Sequence, residues 1–393
     1  MHREYCRSLL ILSLSAVMMA ACSSSGSEWE GSITVEEGVT HVYNPSTPLW
    51  GDAESFLVER EVFGGTGVSE DQVFVTPFAV VVARDGTRLI LDGRGRCIHR
   101  YDPNGQWLGT FGRRGDGPGE FQDSSDMTLL PDGNIAVADL LQMRISIFTP
   151  DGTFVDSMNL KRIIGQIKAQ NSGHLVVSSQ ARAMVMRIAP GGVALDGGPS
   201  LLDILDGNGE RAGSIGQPGE YEGQMVGAWM NRVYPAVTMG DSVVANYLGI
   251  PRIDLYAPDG TLVRVVHRYQ SWEPVEPIEE SYVNEEGRSR FRFEFDTLST
   301  GMAVSPDGQY WAICTALTAP DRRQFESPEE AQRESVPQIW GVDIFDAEGR
   351  WLVRHTLGPD YSTPLVDWWE DGLYVINSYG DATVRRLELV ENR

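Results

Sequence analysis

Residues 126–158 read DMTLLPDGNIAVADLLQMRISIFTPDGTFVDSM. Two copies of Pro-Asp-Gly, at 131–133 and 150–152, cut this stretch into short apolar runs at 126–130, 134–138, 144–148 and 153–158. Proline presets φ for the turn, glycine accepts positive φ, and aspartate bonds the local backbone. The runs alternate with a period of two and are too short for helices, so each is a strand. Four antiparallel strands joined by tight turns make one propeller blade, whose two apolar faces only neighbouring blades can bury.

The same spacing extends in both directions. With the strands of a blade named a to d, the a–b turns centre on Gly86, Gly133, Gly173, Gly240, Gly308 and Gly372. The c–d turns centre on Gly105, Gly152, Gly209, Gly260 and Gly349. Six a–b turns stand against five c–d turns, so one d strand is missing from the end of the chain. Residues 55–63, SFLVEREVF, precede the first a strand and have the pattern of that strand. Pairing them with the last c strand near 383–390 closes the ring and removes two exposed edges. The expected fold is all-β, a six-bladed propeller over residues 33–393, with 33–54 as a lead-in.

The segment 111–121, FGRRGDGPGEF, followed by the 126–158 unit, resembles the NHL-repeat type of six-bladed propeller. A second, eroded copy stands at 216–221, GQPGEY. The resemblance spans about 50–393 and is strongest in the first two blades. It implies that enzymes must be considered, because some similar propellers are lyases or metal-dependent hydrolases.

The N-terminus bears on the compartment. Arg3 and Arg7 precede LLILSLSAVM at 9–18, and Met19-Ala20-Ala21-Cys22 follows. The layout is that of a signal peptide whose apolar core is too short to span a bilayer. It resembles a bacterial lipobox, which implies removal of 1–21, a lipid on Cys22, and a flexible tether over 22–32. By the sorting rule of enteric Gram-negative bacteria, Ser23 after the cysteine favours the outer membrane. Cys97 and Cys314 remain in the propeller, and spacing alone leaves their pairing open. The formal charge of -23 disfavours nucleic acid and anionic lipid headgroups as partners.

Insertions accumulate between strands b and c around 180–200 and 315–338, and between blades around 269–297. Antiparallel strands place b–c and d–a connections at one end of the ring and the tight a–b and c–d turns at the other. The loop-rich end is therefore the expected working face. Within it, 327–330 (SPEE) and the Glu-rich 276–290 are expected as short solvated helices.

Candidate site residues follow from this placement. Arg94 and Arg96 in a b–c loop, with Arg113 and Arg114 in the next d–a connection, form a cationic patch suited to an anion. Trp229, Tyr234, Tyr247 and Tyr379 lie near the same face, where aromatics stack on sugars or grip peptides. Asp92 and Asp139 end equivalent b strands and either ligate calcium or, the favoured reading, anchor the b–c loop. The histidines offer no catalytic set on the inner strands: His99 falls in a c strand, His267 and His355 in d strands, and His174 and His41 outside the channel. No HxxxH, HExxH or Cys-x-x-Cys pattern occurs. The expectation is a non-enzymatic envelope lipoprotein that holds a protein, peptide or glycan and needs no cofactor. The alternative is a lyase or calcium-dependent hydrolase acting at the channel mouth of the loop-rich face.

Overall fold

The computed structural model describes residues 28–51, 56–160, 162–178, 200–283, 287, 289–322 and 336–390. Six four-stranded antiparallel blades form around one axis, in chain order. The first blade is Pro77–Val82, Arg88–Asp92, Cys97–Tyr101 and Trp107–Phe111. The second is Ser124–Leu129, Ile135–Asp139, Arg144–Phe148 and Phe154–Asn159; the third is Gln166–Ala169, Leu175–Ser178, Leu202–Leu205 and Arg211–Ile215. The fourth is Val233–Val237, Val243–Tyr247, Arg252–Tyr256 and Leu262–His267; the fifth is Ser299–Val304, Tyr310–Ala316, Trp340–Asp346 and Trp351–Thr356. The sixth is Leu365–Trp369, Gly372–Asn377, Thr383–Leu389 and, from the other end of the chain, Leu57–Gly64. The a strands are innermost, each abutting the next around the ring.

Each b strand packs against a blade on both faces, and this explains its near-continuous apolar sequence. Leu89 and Leu91 point into the layer shared with blade two, while Ile90 between them points into the layer shared with blade six. Six such layers form the core, one at each blade interface. Alternation along a strand thus sends successive side chains to different neighbours rather than to core and solvent.

Ring closure involves ion pairs as well as backbone. On the closing strand the Glu61 carboxylate takes Arg386 Nε at 2.6 Å within blade six and Arg88 Nη2 at 3.3 Å from blade one. Arg88 also reaches Asp371 and the Tyr374 hydroxyl, both at 2.9 Å, so the last blade is tied to the first.

The segment 33–54 does more than lead in. Ser32–Glu36 and Val39–Tyr43 form a hairpin, and the second strand lies parallel against Leu262–His267, extending blade four to six strands. Asn44 then donates to the Gly349 carbonyl at 2.9 Å and accepts the Trp351 N–H at 2.6 Å. Leu49 and Trp50 donate backbone N–H groups to Trp351 and Leu352. Residues 32–50 and 57–64 therefore engage blades four, five and six in turn.

Two local expectations are corrected. Within 276–290 the described residues form strands rather than a helix: Ile278–Val283 pairs antiparallel with Ser289–Glu294. Strand-favouring Tyr282 and Val283, with a turn glycine at 287 (φ 73°), outweigh the charge content that suggested a solvated helix. In blade four the left-handed turn position is Asp241 (φ 61°), not Gly240. The segment 327–330 and most of the b–c insertions lie outside the described residues. The one α-helix among the described residues, α1 at Gln224–Met230, sits in the connection from blade three to blade four. No helix among the described residues is long and apolar enough to cross a membrane.

Candidate functional site: the channel and its two mouths

Inside the channel, three charged side chains meet from three a strands. Asp126, Lys168 and Asp367 each occupy the third position of their strand, in blades two, three and six. Lys168 Nζ lies 3.4 Å from Asp126 Oδ2 and 3.3 Å from Asp367 Oδ1. Each carboxylate also binds the neighbouring blade: Asp126 Oδ2 accepts the Ile167 N–H at 3.0 Å, and Asp367 Oδ2 accepts the Val80 N–H at 2.8 Å. The three groups therefore lock the inner strands to one another.

Burial sets their protonation. Loss of water pushes the Asp126 carboxyl up to about 6, against the opposing pull of Lys168. Asp367 is raised for the same reason. Burial would lower the Lys168 ammonium, but the two carboxylates outweigh it and hold it above its ordinary value. Lys168 therefore remains a cation near neutrality. Such a buried network is costly to desolvate and is held only by close pairing.

Beyond this triad the channel widens into a cavity of 350 Å³ that opens on the tight-turn face. Lys168 and Asp367 belong to its wall, together with Met127, Met302 and Trp369. The mouth is formed by a–b turns that contribute Arg84, Pro131, Met239 and Pro306. Trp369 is fixed by an Nε1–H bond to the Val80 carbonyl at 2.9 Å, and Arg84 donates to the Pro131 carbonyl. Met239 is 69% exposed. The volume falls within the about 300–1,000 Å³ typical of small-ligand pockets.

The residues singled out on the opposite face have more settled partners. Asp92 accepts backbone N–H groups from Val75, Thr76 and Gly95, and Asp139 from Gln122, Asp123 and Gln142, all between 2.6 and 3.1 Å. Both tie a d–a connection to a b–c loop, the Asx-type role. Among the described residues no group of three or more His, Cys, Asp or Glu is arranged to hold a metal ion.

The four arginines have partners of their own. Arg96 Nε donates to the Gln122 carbonyl at 2.9 Å, which joins the b–c loop to the following connection, and its Nη1 reaches the Arg94 carbonyl. Arg113 pairs with Glu120 at 2.8 Å yet stays 81% exposed. The Gly117 N–H, and then Arg113, hold the Glu120 carboxyl below its usual range. Arg114 forms a backbone bridge with Phe121.

Of the aromatics, Trp229 on α1 stacks on Phe295 at 4.7 Å, with Arg232 over both Trp229 and Tyr234. Tyr379 is 40% exposed. Tyr247 does not reach the face. It is buried, and its hydroxyl lies 3.0 Å from Asp254, because at the end of its strand it turns into the layer between blades three and four.

Cys97 and Cys314 are free thiols in different blades. Cys97 Sγ lies 3.6 Å from His99 Nε2, but burial pushes the thiol up to about 12 and lowers the imidazole, so both stay neutral. Neither is activated for nucleophilic attack.

The channel triad was not anticipated from the sequence. One signal was present: the chain has only two lysines, Lys161 and Lys168, and the second falls inside an a strand.

No protein-family model matches this sequence, and no curated protein is detectably similar to it. Its fold is similar to that of a protein from Bacteroides fragilis described as exported, with TM-score 0.57, 10% identity, and coverage of 86% of this chain and 97% of that one. A member of the DUF4221 family from Bacteroides vulgatus has TM-score 0.53, 10% identity, and coverage of 84% and 97%. A virginiamycin B lyase from Staphylococcus aureus, at TM-score 0.46 and 8% identity, covers 85% of this chain and 99% of its own. At these identities the likeness shows the fold alone, that of a six-bladed β-propeller.

Proposed function

We propose that this chain is a non-enzymatic binding scaffold of the cell envelope, anchored by lipid on Cys22, whose ligand sits in the channel mouth of the tight-turn face. The observation that carries this reading is the 350 Å³ cavity walled partly by the Lys168–Asp367 pair. A pocket of that size with mixed apolar and polar walls and a few fixed charges is suited to hold a ligand. Lys168 kept as a cation between two carboxylates can orient a ligand by charge and hydrogen bonding, whereas proton abstraction would need it neutral. The ligand class is a protein, peptide or glycan. The export signal and lipid anchor rest on residues 1–22, and outer-membrane sorting on Ser23. On the other face, Arg94, Arg96, Arg113, Arg114, Trp229 and Tyr379 are the competing contacts.

Photo-crosslinking in the native envelope separates the faces. A crosslinker at Met239 should capture a specific partner that is lost when Ala303→Trp fills the cavity. Capture from Tyr379 or Arg114 but not from Met239 would refute the seat proposed here.

A further inference from the structure

The tight-turn face is rich in carboxylates. Its a–b turns carry Asp85, Asp132, Asp241, Asp307 and Glu370, besides Asp371, which is tied to Arg88. Arg84 is the only lysine or arginine in those turns, and its guanidinium donates to the Pro131 carbonyl. The c–d turns at the same end add Asp102, Asp151, Asp206 and Asp259. Their one cation, Arg350, is held by Asp346 at 2.6 Å. Hydrogen bonds from turn N–H groups and hydroxyls keep these four aspartates below the usual carboxylate range, so they stay ionised.

Turn chemistry alone does not require that charge. Asparagine or serine closes such turns with the same side-chain to backbone bonds; blade three carries Asn171 and Ser172 there, and their N–H groups donate to the Asp241 carboxylate of blade four at 2.6 and 3.0 Å. The carboxylates also stand beside the cavity. Pro131, Met239 and Pro306 line its mouth, and Asp132, Asp241 and Asp307 follow them in the same turns. A pocket lined by apolar and polar groups together is thus ringed by carboxylates, with Arg84 and Lys168 the cations among its lining residues. Such an arrangement attracts cations over about a Debye length, near 8 Å at physiological salt, and repels anionic partners.

We infer that the ligand of this mouth is a cationic polypeptide segment that inserts an apolar side chain into the cavity while flanking lysines or arginines meet the rim carboxylates. The inference rests on the cavity being the ligand seat and names the chemical class that fits it. The segment's apolar residue meets Met127, Met302 and Trp369, and its basic residues meet Asp132 and Asp307. An acidic protein is excluded by charge. A neutral glycan would fill the cavity without using the rim.

The test uses the full-length lipidated chain in detergent micelles and two fluorescent peptides, one with lysines flanking a single leucine and one with glutamates in their place. The lysine peptide should bind, and the glutamate peptide should not. Raising salt from low to physiological should weaken binding several-fold. Asp132→Asn with Asp307→Asn keeps the turn bonds from the Asn134 and Gln309 N–H groups but removes two charges, and should weaken binding at least tenfold with little change in melting temperature. Met239→Arg, at an exposed position that cannot unfold the core, should weaken it comparably. Equal binding of the two peptides, no binding of either, or indifference to these variants would overturn the inference. If crosslinking from Met239 still captures a partner in that case, the ligand seat stands and only the cationic class falls.

Discussion

Lys168 and Asp367 stand 199 positions apart, in blades three and six, yet their charged groups approach to 3.3 Å across the channel. With Asp126 of blade two, they connect three blades through the axis of the ring. A charge at this position acts on the closure of the ring as well as on the cavity above it.

Replacing Lys168 by Met leaves Asp126 and Asp367 buried without their counter-ion. The expected cost at pH 8 is about 3–5 kcal/mol, read from urea unfolding. The sign with pH follows from the carboxyls. Both have folded values above their ordinary ones, so the stability they contribute is present at low pH and is lost as pH rises through the folded value, about 6 for Asp126 in the native chain. Removing the cation raises those values further. The defect should therefore shrink at pH 5, and an equal loss at pH 5 and pH 8 would argue against this network.

Closure should depend on residues 57–64 far more than on the tether. Deleting 23–63 removes the strand paired with Thr383–Leu389 and the Glu61 link between blades six and one. That product should aggregate or lose cooperative unfolding, as open sheet edges do. Deleting 23–43 removes the hairpin on blade four together with Trp29, and should lower the melting temperature while keeping one cooperative transition. Deleting 23–30 should be harmless. Equal behaviour of all three truncations in calorimetry would contradict the closure described here.

The blades were legible because each depends on local chemistry. Turn residues such as 131–133 and 150–152 punctuate the chain, and runs such as 89–91 declare strands buried on both faces. The channel triad was not, because Asp126, Lys168 and Asp367 converge only through ring geometry, which no local pattern encodes. The parallel docking of Val39–Tyr43 on Leu262–His267 was hidden for the same reason. In 276–290, charge content was read as helical although the strand-favouring residues and the turn glycine at 287 pointed the other way. Insertion length suggested the loop-rich face, yet the cavity opens opposite, because a channel mouth is shaped by the inner strands and their short turns.

The N-terminal hairpin should respond to acid. His41 Nδ1 and His267 Nε2 lie 3.2 Å apart, and the Tyr43 ring stacks on His267 at 4.2 Å. Burial, then the His41 and Arg252 charges, lowers the His267 value against the pull of Asp254 and Glu36. A lowered folded value means that this contribution is present above the ordinary value of about 6.5 and is lost as pH falls through the folded one. Amide protection across 40–43 should drop between pH 7.5 and pH 5.5, and His41→Gln should flatten the change. Constant protection would disprove the coupling.

Cys22→Ser tests the anchor. The variant should lose lipid labelling and leave the membrane fraction as a soluble or unprocessed protein. Unchanged membrane attachment and labelling would rule out lipidation at Cys22.

Methionine-methyl NMR on the full-length chain tests the central claim, that the ligand sits in the tight-turn mouth, because methionines mark both ends of the ring. Met127, Met239 and Met302 line the cavity, whereas Met225 and Met230 lie on α1 at the loop-rich end. Titration with the partner captured from the envelope should shift the first three resonances and leave the other two in place. Shifts at Met225 and Met230, with Met127, Met239 and Met302 unmoved, would contradict the account.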